Sequence, residues 1–302
     1  MVEEKKQQLG AGQLDLLCEM DAEEAVVSSS EAVVPPLEAV VPPLEVASAP
    51  QPLPIALPCF TPEASIPLPE TLLIIDTETT GLDPKQDHCL EVGAILFHAP
   101  RRAVLAQHSF LLPVQDNSAE LINRIPADVT RLNQPWREGL NYFQSLLDAA
   151  ELLVAHNAAF DRQWFGKDHL PAVAKPWLCT MEDIAWPADR QLRSRPSVRD
   201  LALAYGVPVW AAHRALTDCI YLAEVFSRCN ELETLLLHGL EPRRLMRAQV
   251  SYQQRHLAKQ AGFRWNDPVQ GAWTRRLSDR EAAGLGFQVV SIDQDEQGAL
   301  CA

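Results

Sequence analysis

Two short apolar runs place the strongest constraint on the fold of this 302-residue chain. Leu72–Asp76 and Leu152–His156 each consist of four consecutive apolar residues followed by a polar one. A strand with one solvated face would alternate apolar and polar residues, so these runs are typical of strands buried on both faces. Further strands are predicted at Leu90–Phe97 and Val104–Leu112, and helices at Leu140–Ala150 and Ala215–Asn230. This order of elements predicts an α/β fold in which helices flank a mixed sheet.

Local signals predict where several helices begin. Asn157 follows the second apolar run and is placed to cap the next helix. Ser197 and Asp200 have the spacing of a capping box. The helix from Ala215 carries an apolar stripe that predicts a buried face, formed by Leu216, Ile220, Ala223 and Phe226.

Residues 1–70 have a different composition from the rest of the chain. They hold 11 of the 23 prolines and 12 acidic residues against 2 basic ones, and the heptapeptide EAVVPPL occurs twice, at Glu31–Leu37 and Glu38–Leu44. Pro-Pro in each repeat breaks a helix, so a coiled coil is excluded. We predict a disordered acidic Pro-rich tail, with one short helix near Gln13–Val26, that serves as a spacer or as a docking peptide for a polymerase or repair partner.

The formal charge of −14 is unevenly distributed, because residues 241–280 hold 9 basic and 3 acidic residues. After the central domain, 71–240, we predict a small basic and aromatic α+β module over 241–302. Its expected elements are a helix at Ser251–Ala261, a hairpin of Phe263–Trp265 and Ala272–Leu277, a capping box at Ser278 and a strand at Phe287–Ile292. Its aromatic residues Trp265 and Trp273 are interpreted mainly as core. For Arg264, Arg275 and Arg276, a role in holding a nucleic-acid strand and a structural role are both open.

Several classes of protein are excluded by what the sequence lacks. No apolar run approaches the roughly 18 residues of a membrane helix, and the N-terminus has no basic-then-apolar signal. Seven scattered cysteines without a CxxC pair argue against a disulfide framework and against a zinc site. We therefore expect a cytoplasmic protein with no membrane association.

Acidic residues at the ends of the predicted elements are the candidates for chemistry. Asp76 and Glu78 lie two apart at a strand end, so both point to one side of the sheet and would suit Mg²⁺ or Mn²⁺. Alone, such a pair is more often a solvated strand end. Asp161 lies in the first turn of a predicted helix. His213 and Asp218 would face one site only if His213 precedes the helix that contains Asp218.

Together the segments IIDTETTGL, HNAAFD and HRALTD resemble the three motifs of the DEDDh family of 3′→5′ exonucleases. The resemblance covers about residues 71–230 and implies a ribonuclease H-like fold with a mixed five-stranded sheet. Within the family it is nearest to the proofreading subunit of the bacterial replicative DNA polymerase and its stand-alone relatives. Family members act on DNA or on RNA, and both substrates remain open here.

The resemblance implies a role for each matching residue. Two divalent ions, Mg²⁺ or Mn²⁺, would be held by Asp76, Glu78, Asp161 and Asp218, and His213 would accept the proton of the attacking water. The terminal nucleotide would be bound by Thr79, Leu82, Asn157 and Phe160, although Leu82 and Phe160 could instead be core residues. The alternatives are a catalytically silent subunit that binds nucleic acid or a polymerase, which the presence of His213 disfavours, and a structure-specific endonuclease.

Overall fold

The computed structural model describes residues 67–211 and 213–292. The predicted tail, apart from its last four residues, and the predicted helix near Gln13–Val26 lie outside this part of the chain. Within it, no helix is long and apolar enough to cross a membrane.

A mixed five-stranded sheet forms the centre of the molecule, as predicted. Its strands are β1 (Thr71–Thr79), β2 (Cys89–His98), β3 (Ala103–Leu111), β4 (Leu152–Ala155) and β5 (Trp177–Cys179), in the order β3-β2-β1-β4-β5. The first three pair antiparallel, whereas β4 runs parallel to β1 and β5 parallel to β4. The carboxyl ends of β1, β4 and β5 therefore meet at one edge of the sheet.

Helices cover both faces of this sheet, so side chains on both sides of β1 are buried. They are α1 (Glu120–Asn123), α2 (Ala127–Thr130), α3 (Trp136–Ala149), α4 (Ala158–Arg162), α5 (Val198–Ala204), α6 (Ala215–Arg228) and α7 (Leu232–Gly239), with short 3₁₀ helices at Ala99–Arg101 and Ala188–Arg190. Leu72 and Ile74 pack with α5, α6 and α7 in one core, while Leu73 and Ile75 pack with α3 in another. The even-numbered residues of β1 therefore face α6.

The predicted helices are confirmed with shifted ends. Helix α3 begins at Trp136, after Pro135, which is four residues earlier than predicted, and α6 ends at Arg228. The capping box of Ser197 and Asp200 opens α5. Of the helices and strands described in the central domain, α1, α2, β5 and α7 were not predicted individually. Strand β5 has only three residues, too few to show a period, and α7 follows α6 closely enough to read as its continuation.

A second, four-stranded antiparallel sheet forms the C-terminal part. It contains β6 (Arg244–Ala248), β7 (Arg264–Trp265), β8 (Trp273–Leu277) and β9 (Val289–Ser291) in the order β7-β8-β6-β9, with helices α8 (Arg255–Gln260) and α9 (Asp279–Ala283) and a 3₁₀ turn at Tyr252–Gln254. The hairpin and the capping box at Ser278 are confirmed. Trp273 packs against the core of this part, whereas Trp265 is exposed.

Charged residues join the C-terminal sheet to the central domain just beyond β5. Arg243 pairs with Asp183 at 3.3 Å and with Glu281 at 2.5 Å. Glu182 accepts hydrogen bonds or ion pairs from Arg195 and Arg264. The two parts of the chain are thus connected by a largely buried charge network.

The structure contradicts a strand-binding role for Arg275. Its guanidinium is mostly buried, and Nη1 donates to the carbonyl of Ala261 at 2.5 Å. Arg264 pairs with Asp267 at 2.8 Å, and Arg276 donates to the carbonyl of Arg243 at 3.0 Å. All three guanidinium groups therefore have partners within the module, but Arg264 and Arg276 remain exposed.

Candidate active site

The candidate site lies where the end of β1 meets the start of α6. Asp76 and Glu78 alternate with buried Thr77 along β1, so the two carboxylates share the face covered by α6. Gly93 on β2 makes this approach possible, because a side chain there would overlap the backbone of Ala215 and Leu216. The helix can therefore lie directly against the sheet and carry Asp218 toward the β1 pair.

Three of the predicted metal ligands come together. Asp76, Glu78 and Asp218 each offer a carboxylate oxygen, and these oxygens lie within 4.8 Å of one another. Burial and the neighbouring acids raise the pKa of Asp76 well above its usual range. The same causes raise the pKa of Glu78 to about 8, and burial raises that of Asp218 to about 7. The three groups repel one another in their ionised forms.

Asp161 lies next to this cluster and is held by Thr77 of β1. Its Oδ1 accepts hydrogen bonds from the amide of Thr77 at 3.0 Å and from Thr77 Oγ1 at 2.8 Å. Burial nevertheless raises the pKa of Asp161 to about 7, and its charge contributes to the raised pKa of Asp76. Asp161 is therefore close enough to act on the cluster without belonging to the group of three.

This donor set fits a divalent cation. Three carboxylates with raised pKa values repel one another, and a cation bound between them would remove the repulsion and favour their ionised forms. All the donors are hard oxygen ligands, which suit Mg²⁺ and Mn²⁺.

His213 occupies the loop before α6, as the spacing required. Its backbone is in the left-handed region, with φ of 61°, and its amide donates to Asp218 Oδ2 at 3.2 Å. Burial, followed by the positive charge of Arg124, lowers the pKa of the imidazole. A lowered pKa favours the neutral imidazole, which is the form able to accept a proton.

The predicted substrate residues lie around the turn after β1. Thr79 Oγ1 donates to the carbonyl of Gly81 at 2.6 Å, and Asn123 Nδ2 donates to the carbonyl of Thr79 at 3.1 Å. A Cβ at Gly81 would overlap the carboxylate of Asp87, so a side chain there would displace Asp87. Leu82 is 41% exposed and so is not a core residue.

The residues predicted on the second motif differ in their environments. Asn157 occupies the N-cap position of α4 but makes no capping hydrogen bond, so that prediction was wrong. The reason is its left-handed backbone, with φ of 64°, whereas a capping residue is usually extended. The side chain is exposed and available to a ligand. Phe160 is half-buried and packs edge-on against Trp164 with ring centroids 5.8 Å apart, so it contributes to the core.

Sequence reasoning missed two charged residues beside the cluster. Glu91 on β2 lies opposite Glu78 in the antiparallel register and pairs with Arg214 at 2.7 Å. The one sequence signal that could have pointed to this pair is that Arg214 directly follows His213. An exposed aromatic residue, Trp210, was also missed; its ring packs against Tyr221 with centroids 4.9 Å apart.

Comparison with known proteins identifies the catalytic domain. Residues 73–226 match the model of the exonuclease family RNase_T. DNA polymerase III subunit epsilon of Treponema pallidum is 30% identical over 165 residues, which cover 50% of this chain and 73% of that protein. The chain belongs to the exonuclease family. Its resemblance to the DEDDh-type 3′→5′ exonucleases is thereby confirmed.

Other similarities to this exonuclease family member are partial. PolC-type DNA polymerase III of Thermotoga maritima is 28% identical over 173 residues, 54% of this chain and only 12% of that protein. Escherichia coli exonuclease I in complex with a dT13 oligonucleotide has a TM-score of 0.49 and 14% identity, with 72% of this chain and 68% of that chain covered. The nuclease domain of 3′hExo, a DEDDh family member bound to rAMP, has a TM-score of 0.42 and 14% identity, with 53% and 91% covered. Residues 244–292 match a domain of unknown function, DUF8626.

The raised pKa values of the cluster predict an unusual pH dependence of stability. In the metal-free exonuclease, the free energy of unfolding should fall as the pH rises from about 6.5 to about 8. In this window folded Glu78, Asp161 and Asp218 still bind protons that the unfolded chain, with pKa values of about 4, has released. Below this window His156, with a pKa lowered to about 4 by burial, acts in the opposite direction.

Urea unfolding in EDTA at pH 6.5 and pH 8 would measure this fall. Saturating Mg²⁺ should abolish it, because the ion binds the ionised carboxylates of the folded state only. Asp218→Asn should reduce it, since one titrating group is lost. The prediction would be contradicted if the free energy of unfolding changed equally between pH 6.5 and pH 8 in EDTA, in Mg²⁺ and in Asp218→Asn.

Proposed function

We propose that the protein is a 3′→5′ exonuclease that hydrolyses phosphodiester bonds at the 3′ end of DNA or RNA and releases 5′-nucleoside monophosphates. One observation carries the proposal: in a member of the exonuclease family, three carboxylates converge within 4.8 Å beside a histidine with a lowered pKa. The first site residues come from β1 and the others from the start of α6, so the fold itself assembles them.

The acidic residues would hold two divalent ions. Asp76, Glu78 and Asp218 would bind one, and Asp161 would support a second beside Asp76. Such ions act as Lewis acids that activate water and offset charge on a phosphate group. The surrounding acids would otherwise repel a phosphate, so cation binding also makes the site accessible to the substrate.

His213 would act as the general base. Its lowered pKa keeps the imidazole neutral, and its amide contact with Asp218 holds the residue at the cluster. A neutral imidazole near the attacking water can accept the proton as the oxygen–phosphorus bond forms. Asp218 would thus both bind a cation and fix the base.

The turn after β1 would select the strand end. The main chain at Thr79 would contact the terminal 3′-hydroxyl, while Leu82 and Phe160 would pack against the last base and Asn157 would bind the nucleotide edge. The exposure of Leu82 and Asn157 supports this assignment. Phe160 would present only one side of its ring, since the other packs on Trp164.

A polymerase or repair complex is the proposed partner, because the Treponema relative is a polymerase subunit.

Digestion of single-stranded DNA and RNA oligonucleotides, labelled at either end, tests the proposed activity. With Mg²⁺ or Mn²⁺, a 5′ label should give products that shorten one nucleotide at a time, and a 3′ label should appear at once as a mononucleotide. EDTA should stop both reactions. Internal cuts would indicate an endonuclease, and binding without cleavage would indicate a silent subunit.

Leu82→Ala should raise KM for a single-stranded oligonucleotide by about 5- to 30-fold, equivalent to ~1–2 kcal/mol of lost apolar contact. The value of kcat should change little, because the side chain does not touch the carboxylates. The matched control is Leu105→Ala, which removes a leucine that is 54% exposed on β3. Steady-state kinetics in which the two variants give the same KM would remove Leu82 from the binding site.

A further inference from the structure

Glu91 is a buried acid that the proposed mechanism does not use. Its side chain is 3% exposed, and it lies opposite Glu78 in the β1–β2 register. Its charge contributes to the raised pKa values of Asp76, Glu78 and Asp218. A buried carboxylate that raises the pKa of three proposed metal ligands requires a structural explanation.

The hydrogen bonds of Glu91 provide it. Oε2 accepts from Arg214 Nε at 3.0 Å and from the amide of Ala215 at 3.0 Å. Oε1 accepts from Arg214 Nη2 at 2.7 Å and from Ser109 Oγ at 3.3 Å. The carboxylate therefore binds the guanidinium in a two-point fork and also caps the first amide of α6. Arg214, at the N-cap position, supplies no side-chain cap of its own.

This arrangement fixes the segment that carries the proposed base. His213 precedes Arg214 directly, and Asp218 lies in the first turn of the helix that Glu91 caps. His213 has a left-handed backbone, a conformation that few residues adopt without support from their surroundings. The fork and the cap together hold Arg214 and Ala215, between His213 and Asp218, against β2.

The same arrangement confines a positive charge. The charge of Arg214 lowers the pKa of Glu78, but among residues 67–211 and 213–292 both hydrogen bonds of the guanidinium go to Glu91. If Glu91 were neutral, Arg214 could turn to the neighbouring acids and occupy the space of a cation. Glu91 thus prevents its own partner from competing for the cluster.

We propose that Glu91 and Arg214 form a positioning pair, which holds His213 and Asp218 in register and keeps the guanidinium away from the metal-binding carboxylates. The inference rests on the proposed function for its kinetic consequences, but its electrostatic consequence is measured with the metal alone. Neither residue touches the reacting atoms.

The two single variants should have opposite effects on metal affinity. Glu91→Gln releases Arg214 toward the cluster and should weaken Mn²⁺ binding by about 10- to 100-fold, the range seen when groups that support metal ligands are changed. Arg214→Gln removes the competitor and leaves Glu91 as an extra anion, so Mn²⁺ binding should be tighter. Both variants should lose kcat, because each breaks the fork that holds Arg214, the residue directly after His213.

Three further variants separate positioning from general destabilisation. Glu91→Gln with Arg214→Gln should restore Mn²⁺ affinity but not kcat. Arg214→Lys keeps the charge without the fork and should recover only part of kcat. The matched control is Arg102→Gln, which breaks a comparable fork to Glu233, at 2.6 and 2.7 Å, between the loop after β2 and α7.

The experiment uses the full chain. Electron paramagnetic resonance of the free ion measures Mn²⁺ binding, and hydrolysis of a p-nitrophenyl ester of a nucleoside monophosphate measures turnover. Opposite shifts in Mn²⁺ affinity for the two single variants, with no shift for Arg102→Gln, would support the pair. Shifts of the same sign, or no larger than those of the control, would overturn it. If the wild type binds Mn²⁺ but hydrolyses neither ester nor oligonucleotide, the proposed function fails, while the affinity shifts still decide the role of the pair.

Discussion

Replacing Asp76 with asparagine should lower kcat by about 10³-fold or more, because the variant loses a ligand that the proposed mechanism uses for both cations. KM should change far less, since the residues around Leu82 and Asn157 are untouched. Asp76 lies among four other acids, and burial is the first cause of its raised pKa. The metal-free variant should therefore unfold at a higher urea concentration than the wild type at pH 7.5, because an unfavourable charge has been removed.

The combination of lost activity and gained stability is what distinguishes this prediction from ordinary damage. Asp148→Asn is the matched control, because Asp148 is exposed on α3 and its carboxylate contacts Gln144 rather than the cluster. It should leave both quantities unchanged. Oligonucleotide digestion and urea unfolding on the same preparations provide the measurements. Retention of most activity in Asp76→Asn would end the assignment of the cluster as the metal site.

The convergence of the proposed catalytic residues could be predicted because local rules and the order of segments agree. Period-two geometry requires Asp76 and Glu78 to share a face, and the sheet confirms it. The helical period required His213 to lie before the helix of Asp218, and α6 begins at Ala215. Each of these statements depends on neighbours a few residues apart, which is the range over which sequence patterns carry information.

The missed features depend instead on partners far apart in the chain. Glu91 and Arg214 are 123 positions apart, and no local signal identifies Glu91 as other than a strand residue. Strand β6 reads RLMRA, with charged residues at positions that a half-buried strand exposes, so its pattern resembles a polar loop. The net positive charge of the C-terminal part predicted phosphate binding, but burial of Arg275 depends on the packing of α8 and β8 and could not be read from composition.

The domain boundary after residue 240 was likewise predicted from local composition, whereas the contacts across it were not. The change in charge and turn composition predicted a separate module, and DUF8626 matches 244–292. The structure adds that Arg243, just ahead of β6, reaches Asp183 beyond β5 and Glu281 in α9. Arg243, which lies in the predicted linker, thus forms ion pairs with both parts of the chain. Its neighbour Arg244 pairs instead with Asp279, within the C-terminal part.

Arg243→Ala should destabilise the protein by about 3–5 kcal/mol, whereas Arg244→Ala should cost about 1 kcal/mol or less. The Arg243 side chain is 7% exposed, and its removal leaves Asp183 and Glu281 without their main counter-charge. The Arg244 side chain is 59% exposed, and its ion pair to Asp279 is at the surface, where water screens it. Urea unfolding of both variants measures the difference. Arg243→Met should destabilise the protein as much as Arg243→Ala if the charge matters, and less if packing dominates. A cost below about 1 kcal/mol for both variants would show that the buried network does not join the two sheets.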